Sequence, residues 1–472
     1  MTEKELLYNS VVEKMARLID SGSLAPRSKM PSVRKLQEQM NLSATTIVHA
    51  YSILESRGMI ESKPRSGYFV CARLAGEIAQ PRTPMISAVA RPVEVSEFIA
   101  SVFQSDYRPN VVPFGVALPD PKLLPIQALN RTAARVCREN LDAGARYESP
   151  QGNFKLRKQL ALRSLGWGLS LTSDDFIITS GAIDALSLAL RAVAKAGDTI
   201  AIESPTYFGI LQIIEGLGMN ALEIPCDPEN GMNLNILRAA LEKNKIRACI
   251  VIPNFQNPSG ACMTNDDKKE LVRLITKYKT PLIEDDIYSD LYFGSQRPLT
   301  LKSFDKDGFV LLCSSISKNL APGYRVGWIV PGRFKDKVEM LKSVVSGGTN
   351  SISQMAVAEF MKSGAFDRHL KSFRTCLRSQ IQDARAAVAR HFPLGTRISN
   401  PKGGFVLWIE GPTHLDSLHL QQKALKKGIS IAPGPIFSTH HGYKNYIRLS
   451  CGQTWNVKSE EAIKKLVTLI EN

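Results

Sequence analysis

The segment from residue 315 to residue 328 reads Ser315-Ile316-Ser317-Lys318-Asn319-Leu320-Ala321-Pro322-Gly323-Tyr324-Arg325-Val326-Gly327-Trp328. It follows the apolar run Val310–Leu312, which predicts a buried β-strand. Ser315 and Lys318 therefore stand just beyond the end of a strand. Open parallel sheets bind their ligands beyond the carboxyl ends of their strands, so this segment predicts a ligand site around Lys318.

Two earlier apolar runs also lead into polar residues. Ala248–Ile252 is followed by Asn257, and Pro281–Ile283 is followed by Asp285. The residues between these runs have the pattern of a capped crossover helix. Strands that alternate with helices predict an α/β fold with a mainly parallel sheet and helices on both faces. In such a sheet, Asn257, Asp285 and Lys318 are expected to converge on one pocket.

A fourth apolar run, Phe176–Thr179, passes through Ser180-Gly181-Ala182 directly into a helical pattern. The free backbone N–H groups at such a helix start favour a phosphate. A lysine, a strand-end aspartate, an asparagine, hydroxyl groups and an anion-binding helix start are together what pyridoxal 5′-phosphate requires. Taken one at a time, each also has a structural explanation: a surface lysine, a turn aspartate or a simple helix cap.

The composition is that of a folded protein. The chain has 472 residues, of which 44% are hydrophobic and 22% charged, and this excludes wholesale disorder, collagen-like repeats and a coiled-coil rod. The formal net charge of +16 directs attention to a polyanionic partner. No basic N-terminal region leads into an apolar stretch and no long apolar run occurs, so we expect neither export nor a membrane span. Scattered cysteines indicate reduced thiols and a cytoplasmic protein.

The first seventy residues predict three helices and a two-stranded wing. Apolar residues recur at helical spacing over 7–18, and Ser32 is placed to cap a short helix, Val33–Met40. A third helix follows a tight turn at Asn41 and ends at Gly58. Two helices joined by a short turn are the arrangement in which the second helix enters the major groove of DNA. Helical hairpins in ordinary cores have the same pattern, so the spacing alone leaves both interpretations open.

The segment after the wing predicts a linker, because it is rich in proline, alanine and small residues and has no sustained period. We therefore expect a DNA-binding domain over residues 1–73, a linker over 74–93 and a cofactor-binding domain over 94–472.

Four motifs, in this order, resemble those of the fold-type I pyridoxal-phosphate-dependent aminotransferases. They are Asn254-Phe255-Gln256-Asn257-Pro258-Ser259-Gly260, Glu284-Asp285-Asp286-Ile287-Tyr288, the segment 315–328 and Asn445-Tyr446-Ile447-Arg448-Leu449-Ser450. The resemblance covers the chain from about Val112 to the C-terminus. It implies a mostly parallel sheet flanked by helices, a smaller C-terminal α/β subdomain and pyridoxal 5′-phosphate as the cofactor.

The resemblance also implies a role for each matching residue. Lys318 would form the Schiff base with the cofactor and act as the catalytic base, and Asp285 would pair with the pyridine nitrogen. Asn257 and Tyr288 would hydrogen-bond the phenolic oxygen of the cofactor. Arg448 would bind the carboxylate of the substrate with its planar guanidinium.

Further contacts are implied for the ring and the phosphate of the cofactor. Tyr207 would stack on the ring, and Tyr147 would reach the phosphate from the neighbouring subunit, which implies a two-fold homodimer. The remaining phosphate contacts would come from Ser180, Gly181, Ala182, Ile183, Ser315, Ser317 and Arg325. Ile183-Asp184 departs from the polar pair that such chains often carry. Because that contact is made by a backbone N–H group, the site is expected to survive the change.

The N-terminal segment resembles the GntR-type winged-helix domains. The resemblance lies in Leu24-Ala25-Pro26, Met30–Leu36, Ala50-Tyr51, Leu54-Glu55-Ser56-Arg57-Gly58 and Ser66-Gly67-Tyr68-Phe69-Val70. DNA contacts are then expected from Arg34, Thr45, Thr46, His49, Lys63 and Arg65. Ala44 stands where such domains usually have an arginine, which removes one contact. A winged helix joined by a linker to an aminotransferase-like domain resembles the MocR subfamily of bacterial transcription regulators.

Two further features carry weaker hypotheses. A basic stripe at helical spacing either extends the DNA-binding surface or forms a solvated helix face; its members are Lys371, Arg374, Arg378 and Arg385. His440-His441 lacks any partner at metal-ligand spacing, which predicts a solvent-facing loop and no metal site.

The leading hypothesis is a dimeric transcription regulator. Its winged helices would bind double-stranded operator DNA, and its aminotransferase-like domain would sense pyridoxal phosphate or an amino acid or amine that reacts with it. The rival hypothesis is an active aminotransferase, because the residues for transamination look complete. A third hypothesis, in which the cofactor domain only dimerises the chain, is disfavoured by the intact Lys318, Asp285 and Arg448.

Overall fold

A computed structural model describes residues 3–25, 27–56, 58–63, 66–71, 78–84, 89–103, 111–243 and 245–471. The helices are α1 (Glu3–Asp20), α2 (Val33–Met40), α3 (Ala44–Ser56), α4 (Ser96–Phe103), α5 (Ile126–Glu139), α6 (Phe154–Ser164), α7 (Ala182–Val193), α8 (Phe208–Gly216), α9 (Leu234–Lys243), α10 (Asn265–Lys277), α11 (Lys335–Val345), α12 (Ser351–Lys362), α13 (Ala365–His391), α14 (Ser417–Lys426) and α15 (Val457–Glu471). None of the helices in these ranges has the length and apolar character that a bilayer crossing demands.

The strands of the described residues fall into a wing, a central sheet and smaller sheets. They are β1 (Ile60–Lys63), β2 (Gly67–Val70), β3 (Arg91–Pro92), β4 (Val112–Pro113), β5 (Ile177–Thr179), β6 (Thr199–Ser204), β7 (Asn220–Asp227), β8 (Gly231–Met232), β9 (Ile246–Val251), β10 (Leu282–Asp285), β11 (Val310–Ser315), β12 (Gly327–Val330), β13 (Arg397–Ile398), β14 (Val406–Glu410), β15 (Ile429–Ser430), β16 (Ala432–Pro433) and β17 (Tyr446–Ser450).

Helices α1 to α3 and the hairpin β1–β2 form a winged helix, as the sequence predicts. The Ser32 hydroxyl caps α2 by accepting from the Lys35 N–H at 3.2 Å, and Asn41 ends that helix in the left-handed conformation. The inward face of α3 is fully buried at Ile47, Tyr51 and Leu54. This apolar face packs on α1 and holds the three helices together.

The central sheet confirms the α/β expectation. Its strands lie in the order β3, β7, β6, β9, β10, β11, β12 and β5, and the pairs from β7 to β11 are parallel. Alternate residues of each strand enter different cores, because side chains point to opposite faces of a sheet. In β6, for example, Ile200 and Ile202 pack with α7 and α8, whereas Ala201 packs with α9 and α10.

A smaller C-terminal subdomain, also expected, contains the antiparallel strands β13, β14, β17 and β16 together with α14 and α15. The 27-residue helix α13 connects it to the larger domain. Phe373 and Leu377, towards the start of this helix, pack in the core of the larger domain, whereas Ile381 and Ala384 pack in that of the subdomain. One helix therefore belongs to both cores.

The described part of the predicted linker is packed against both the larger domain and the C-terminal subdomain, since Cys226 lies on β7 and Glu410 on β14. The Arg82 N–H donates to Glu410 at 2.7 Å, and the Thr83 hydroxyl donates to the Cys226 carbonyl at 2.6 Å. Strand β3 then pairs with the edge strand β7. These residues do not behave as a free tether, because their backbone and side chains have partners on both. The boundaries at 73/74 and 93/94 stay predictions.

Candidate functional site

A cavity lies at the carboxyl edge of the parallel strands, where the sequence predicts a ligand site. Ten of the predicted cofactor residues line it: Ala182, Ile183, Tyr207, Asn257, Asp285, Tyr288, Ser315, Ser317, Lys318 and Arg325. The parallel register that sets Asp285 opposite Cys313 aligns the ends of β10 and β11. Apolar residues to which the sequence analysis gave no site role complete the lining, and these are Leu118, Leu186, Ile252, Ile287 and Pro322.

Lys318 presents its amine inside this cavity. Its Nζ donates to the Ala117 carbonyl at 2.7 Å. Burial and the neighbouring positive charge of Arg448 lower the pKa of Lys318 to about 8, although Asp285 opposes the shift. A much larger fraction of this amine is therefore neutral, and nucleophilic, near neutral pH than for an ordinary lysine.

Asp285 is a buried carboxylate with an unsatisfied oxygen. Its side chain is 3% exposed, and Oδ1 has no hydrogen-bond partner among the described residues. Burial and the charge of Asp286 raise the pKa of Asp285 to about 7, against the opposing effects of the Ile287 N–H and Lys318. Such a carboxylate is stabilised by a cationic or N–H partner that faces it from the cavity.

The start of α7 supplies the expected anion-binding groups. Ala185 is the first residue whose N–H bonds back within this helix, to the Gly181 carbonyl, so the first-turn N–H groups are open to the cavity side. Arg325 closes the other side, and its Nη2 donates to the Ser180 carbonyl at 2.7 Å. Gly181, with φ at 98°, allows this approach, since a Cβ there would come within 2.6 Å of Arg325 Nη2.

The departure at Ile183-Asp184 has a structural explanation. The Asp184 carboxylate accepts a hydrogen bond from the Ser180 N–H at 2.8 Å and so ties the turn before α7 to the first turn of the helix. This holds the Ser180–Ala182 turn in place without a polar side chain at position 183. Sequence reasoning missed this role for Asp184, although an acidic residue in the first turn of a helix is a recognisable capping signal.

Arg448 reaches the same region from the C-terminal subdomain. It is 1% exposed on β17, and its Nη1 donates to Asn257 Oδ1 at 3.4 Å. Its Nη2 also donates to the Gly115 carbonyl. Asn257 in turn donates to the Tyr288 hydroxyl at 3.5 Å, so the three predicted residues form one connected group. The contribution of the backbone of Gly115 was not foreseen, because a carbonyl contact has no side-chain signature in a sequence.

Tyr147 lies apart from this group. Its side chain is completely exposed, and it does not line the cavity of its own chain. The Leu141 side chain on the same stretch is 86% exposed. The intrachain geometry therefore gives Tyr147 no contact with the site, and its predicted role depends on a second subunit.

The predicted DNA-contact residues that the structure describes lie on the winged helix and differ in their exposure to solvent. Arg34 is 90% exposed and forms an ion pair with Glu38 at 3.3 Å. Thr45 and His49 are exposed on α3, whereas Thr46 is half-buried. The side chain of Lys63 and all of Arg65 lie outside the described residues. These contacts stay predictions.

His440 lies with His441 in an exposed loop, as the sequence predicts, but it also has a buried partner. Its Nδ1 lies 3.5 Å from the buried Glu223 carboxylate, which raises the pKa of His440. His441 packs edge-on against Phe98, with ring centroids 4.9 Å apart. Across the described ranges, no group of three or more histidine, cysteine or acidic residues is arranged to hold a metal ion.

Comparisons with known proteins match both parts of the chain. Residues 117–466 match the family described as aminotransferase class I and II, and residues 7–70 match the bacterial regulatory proteins of the gntR family. The uncharacterized HTH-type transcriptional regulator YdcR of Escherichia coli (strain K12) is 37% identical over 98% of this chain and 99% of its own length. The chain belongs to the MocR subfamily of GntR-type transcription regulators.

Solved structures resemble the larger domain of this MocR-type regulator. The multiple substrate aminotransferase of Thermococcus profundus has a TM-score of 0.75 and 26% identity, covering 80% of this chain and 95% of the enzyme. The α-aminoadipate aminotransferase LysN of Thermus thermophilus, complexed with N-(5′-phosphopyridoxyl)-L-leucine, has a TM-score of 0.72 and 27% identity, covering 80% of this chain and 98% of that enzyme.

The cofactor of this family is pyridoxal 5′-phosphate, and the residues present here fit it. The unsatisfied Asp285 oxygen suits a protonated pyridine nitrogen, and the open helix start with Arg325 suits a phosphate. Lys318 supplies an amine in the same cavity. The charges of these described residues therefore match those of the cofactor.

We predict that Gly181→Ala weakens the affinity for pyridoxal 5′-phosphate about tenfold or more. The added methyl group would collide with Arg325 and would strain a backbone with positive φ, so the phosphate cradle must shift. Titration of the purified chain, followed by cofactor absorbance, measures the change. Gly216→Ala is the matched control, because its Cβ position meets no atom within 4 Å beyond its chain neighbours and its own helix backbone. Equal affinities for the two variants would contradict the prediction.

Proposed function

We propose that this transcription regulator binds pyridoxal 5′-phosphate through Lys318 and that the bound cofactor, or an amino compound that reacts with it, changes the DNA affinity of the winged helix. The observation that carries the proposal is one cavity in which Lys318, Asp285 and the open start of α7 face each other, on a chain with a GntR domain. If the chain were only a metabolic enzyme, its activity would not require a DNA-binding domain.

Each residue of the cavity has a separable task. The cofactor, when bound, supplies an aldehyde for an amine and an electron-withdrawing ring. Lys318 Nζ provides the attacking amine and holds or releases a proton at that atom. Asp285 would keep a positive charge on the ring nitrogen, and Tyr207 would pack against the ring. Arg448 would orient the carboxylate of an amino acid with two parallel hydrogen bonds.

A second candidate function is turnover of an amino acid. The connected group of Arg448, Asn257 and Tyr288 favours it, because a pure cofactor sensor does not require a carboxylate-binding arginine. The relatives named as aminotransferases share this fold over about four fifths of the chain. Sensing an amino acid and converting it slowly would use the same residues.

The test of the proposed function is DNA binding at fixed salt, with and without pyridoxal 5′-phosphate, for the wild type and for Lys318→Ala. The DNA upstream of the regulator's own gene serves as the probe. We expect the cofactor to change the wild-type affinity and to leave Lys318→Ala unaffected, with loss of the visible absorbance of the lysine-bound cofactor. A wild type with that absorbance but with sequence-indifferent, salt-sensitive DNA binding would favour the turnover function instead.

The pH dependence of cofactor capture provides a second prediction. Only the neutral amine attacks, and its fraction rises as pH rises towards the pKa of about 8. The capture rate should therefore rise roughly tenfold per pH unit below about 8 and level off above it. Stopped-flow absorbance measures the rate. Nα-acetyl-lysine is the control, because its amine has the ordinary pKa near 10.4 and its rate should keep rising. A capture rate of the protein that also keeps rising above about pH 8 would contradict the assignment of Lys318, with its lowered pKa, as the reacting amine.

We also infer a homodimer in which Tyr147 serves the site of the other subunit. Its complete exposure, next to exposed apolar residues, supports this inference. Sedimentation of the purified chain should give the mass of two subunits. Tyr147→Phe should weaken cofactor affinity about tenfold, the loss of one hydrogen bond to a charged group. Tyr324→Phe is the control, since that hydroxyl bonds Asn130. A monomer with unchanged affinity in Tyr147→Phe would refute the inference.

A further inference from the structure

The winged helix is attached to the long helix α13 of its own chain at the end of the recognition helix α3. Arg378 Nη1 donates to the Glu55 carbonyl at 3.1 Å, and Gln382 Nε2 donates to the Gly58 carbonyl at 3.1 Å. The carbonyls at a helix C-terminus have no partner within the helix and carry partial negative charge. The two α13 side chains thus bind carbonyls at and just beyond the end of α3, in addition to the Gly58 N–H, which donates to the Glu55 carbonyl at 2.9 Å.

Gly58 provides independent support for a close fit. Its φ is +68°, and a Cβ at this position would lie 2.6 Å from both Arg378 Nε and Gln382 Nε2. A side chain at Gly58, two residues beyond the recognition helix, would strain the backbone and displace these two α13 side chains. The basic stripe of the sequence is accordingly neither a DNA surface nor a solvated face at Arg378, because that side chain lies between the two domains.

The same face of α13 also contacts a segment that leads out of the cofactor cavity. Arg378 Nη1 donates to the Phe293 carbonyl at 3.3 Å, and Arg374 Nη1 donates to the Asp290 carbonyl at 3.3 Å. The Arg374 guanidinium also lies over the Tyr292 ring, 4.2 Å from its centroid. This segment begins at Tyr288, which lines the cavity.

Asp290 connects this segment to the neighbour of the cofactor lysine. Its Oδ2 accepts a hydrogen bond from Asn319 Nδ2 at 3.4 Å, and Asn319 directly follows Lys318. Its Oδ1 accepts from Arg297 Nε at 2.8 Å, which holds the carboxylate in place. A continuous set of contacts therefore runs from Lys318 through Asp290 and α13 to the end of α3.

We propose that Arg378 and Gln382 are positioning residues that hold the recognition helix on the aminotransferase domain, and that Asp290 links this contact to Lys318. The inference rests on the proposed function and assigns its regulation to named residues. A ligand in the cavity changes DNA affinity only if it favours one arrangement of this contact over another. Through this contact, the presence or absence of a ligand in the cavity would change the position of α3.

The test uses the full chain and the double variant Arg378→Ala/Gln382→Ala. We measure affinity for the DNA upstream of the regulator's own gene, at fixed salt, with and without pyridoxal 5′-phosphate, together with cofactor absorbance. In the wild type the two affinities should differ by about fivefold or more, the usual range of coupling between two sites. In the double variant the ratio should fall to about one, with unchanged cofactor binding.

Arg368→Ala is the matched control, because Arg368 lies on α13 outside the cavity between this helix and the winged helix. It removes one positive charge from the exposed part of the same helix, and it should keep the wild-type ratio. Arg378→Lys retains the charge and one donor and should restore part of the ratio. Gly58→Ala disturbs the contact from the DNA-binding side and should also reduce the ratio.

The outcomes separate this inference from the proposed function. A wild-type ratio in the double variant would overturn the inference and leave the proposed function intact. Loss of cofactor binding in the double variant would also overturn it, because the two side chains would then support the cavity itself. If the wild type binds DNA equally well with and without pyridoxal 5′-phosphate, while showing normal cofactor absorbance, both the proposed sensing of the cofactor and this inference are refuted.

Discussion

Asp285 and Lys318 carry groups of opposite charge in a cavity where burial disfavours either charge. Burial raises the pKa of the carboxyl group to about 7 and lowers that of the amine to about 8, while each group's charge opposes the other's shift. Both groups therefore change protonation near neutral pH, where ordinary aspartate and lysine side chains do not. The parallel strands β10 and β11 keep this pair together, because their register fixes the strand ends side by side.

The placement of the winged helix is tied to the two subdomains that enclose this pair. Arg448 approaches from the smaller subdomain and Lys318 belongs to the larger one, so a ligand that engages both would hold the two together. Helix α13 is packed into the cores of both subdomains. Its contacts with the recognition helix use the backbone carbonyls of Glu55 and Gly58. Contacts to backbone carbonyls do not depend on residue type. The side chains that face DNA can therefore vary in sequence without loss of these contacts.

The fold and the candidate site were predictable where they depend on local patterns. The period of the apolar residues identified α2 and α3, and Ser32 and Asn41 marked the ends of α2 through their capping chemistry. The strand end at Asp285 followed from an apolar run that stops at polar residues, and parallel strands bring such ends to one edge. The carbonyls of Gly115 and Ala117, which bind the arginine and the lysine of the cavity, leave no trace in a sequence, since any residue type offers a carbonyl. The packing of the linker was likewise hidden, because its composition is that of a free tether.

The sequence by itself determined the two domain types, the order of the strands along the chain and the chemical identity of the groups at their ends, because these depend on residue type and short-range spacing. Only the tertiary structure decided what the basic residues of α13 do. Arg378 has the same helical spacing as a solvated residue, and its role is set by Glu55, Gly58 and Phe293. Partners so distant in sequence are brought together by the packing of whole domains, which no local period encodes.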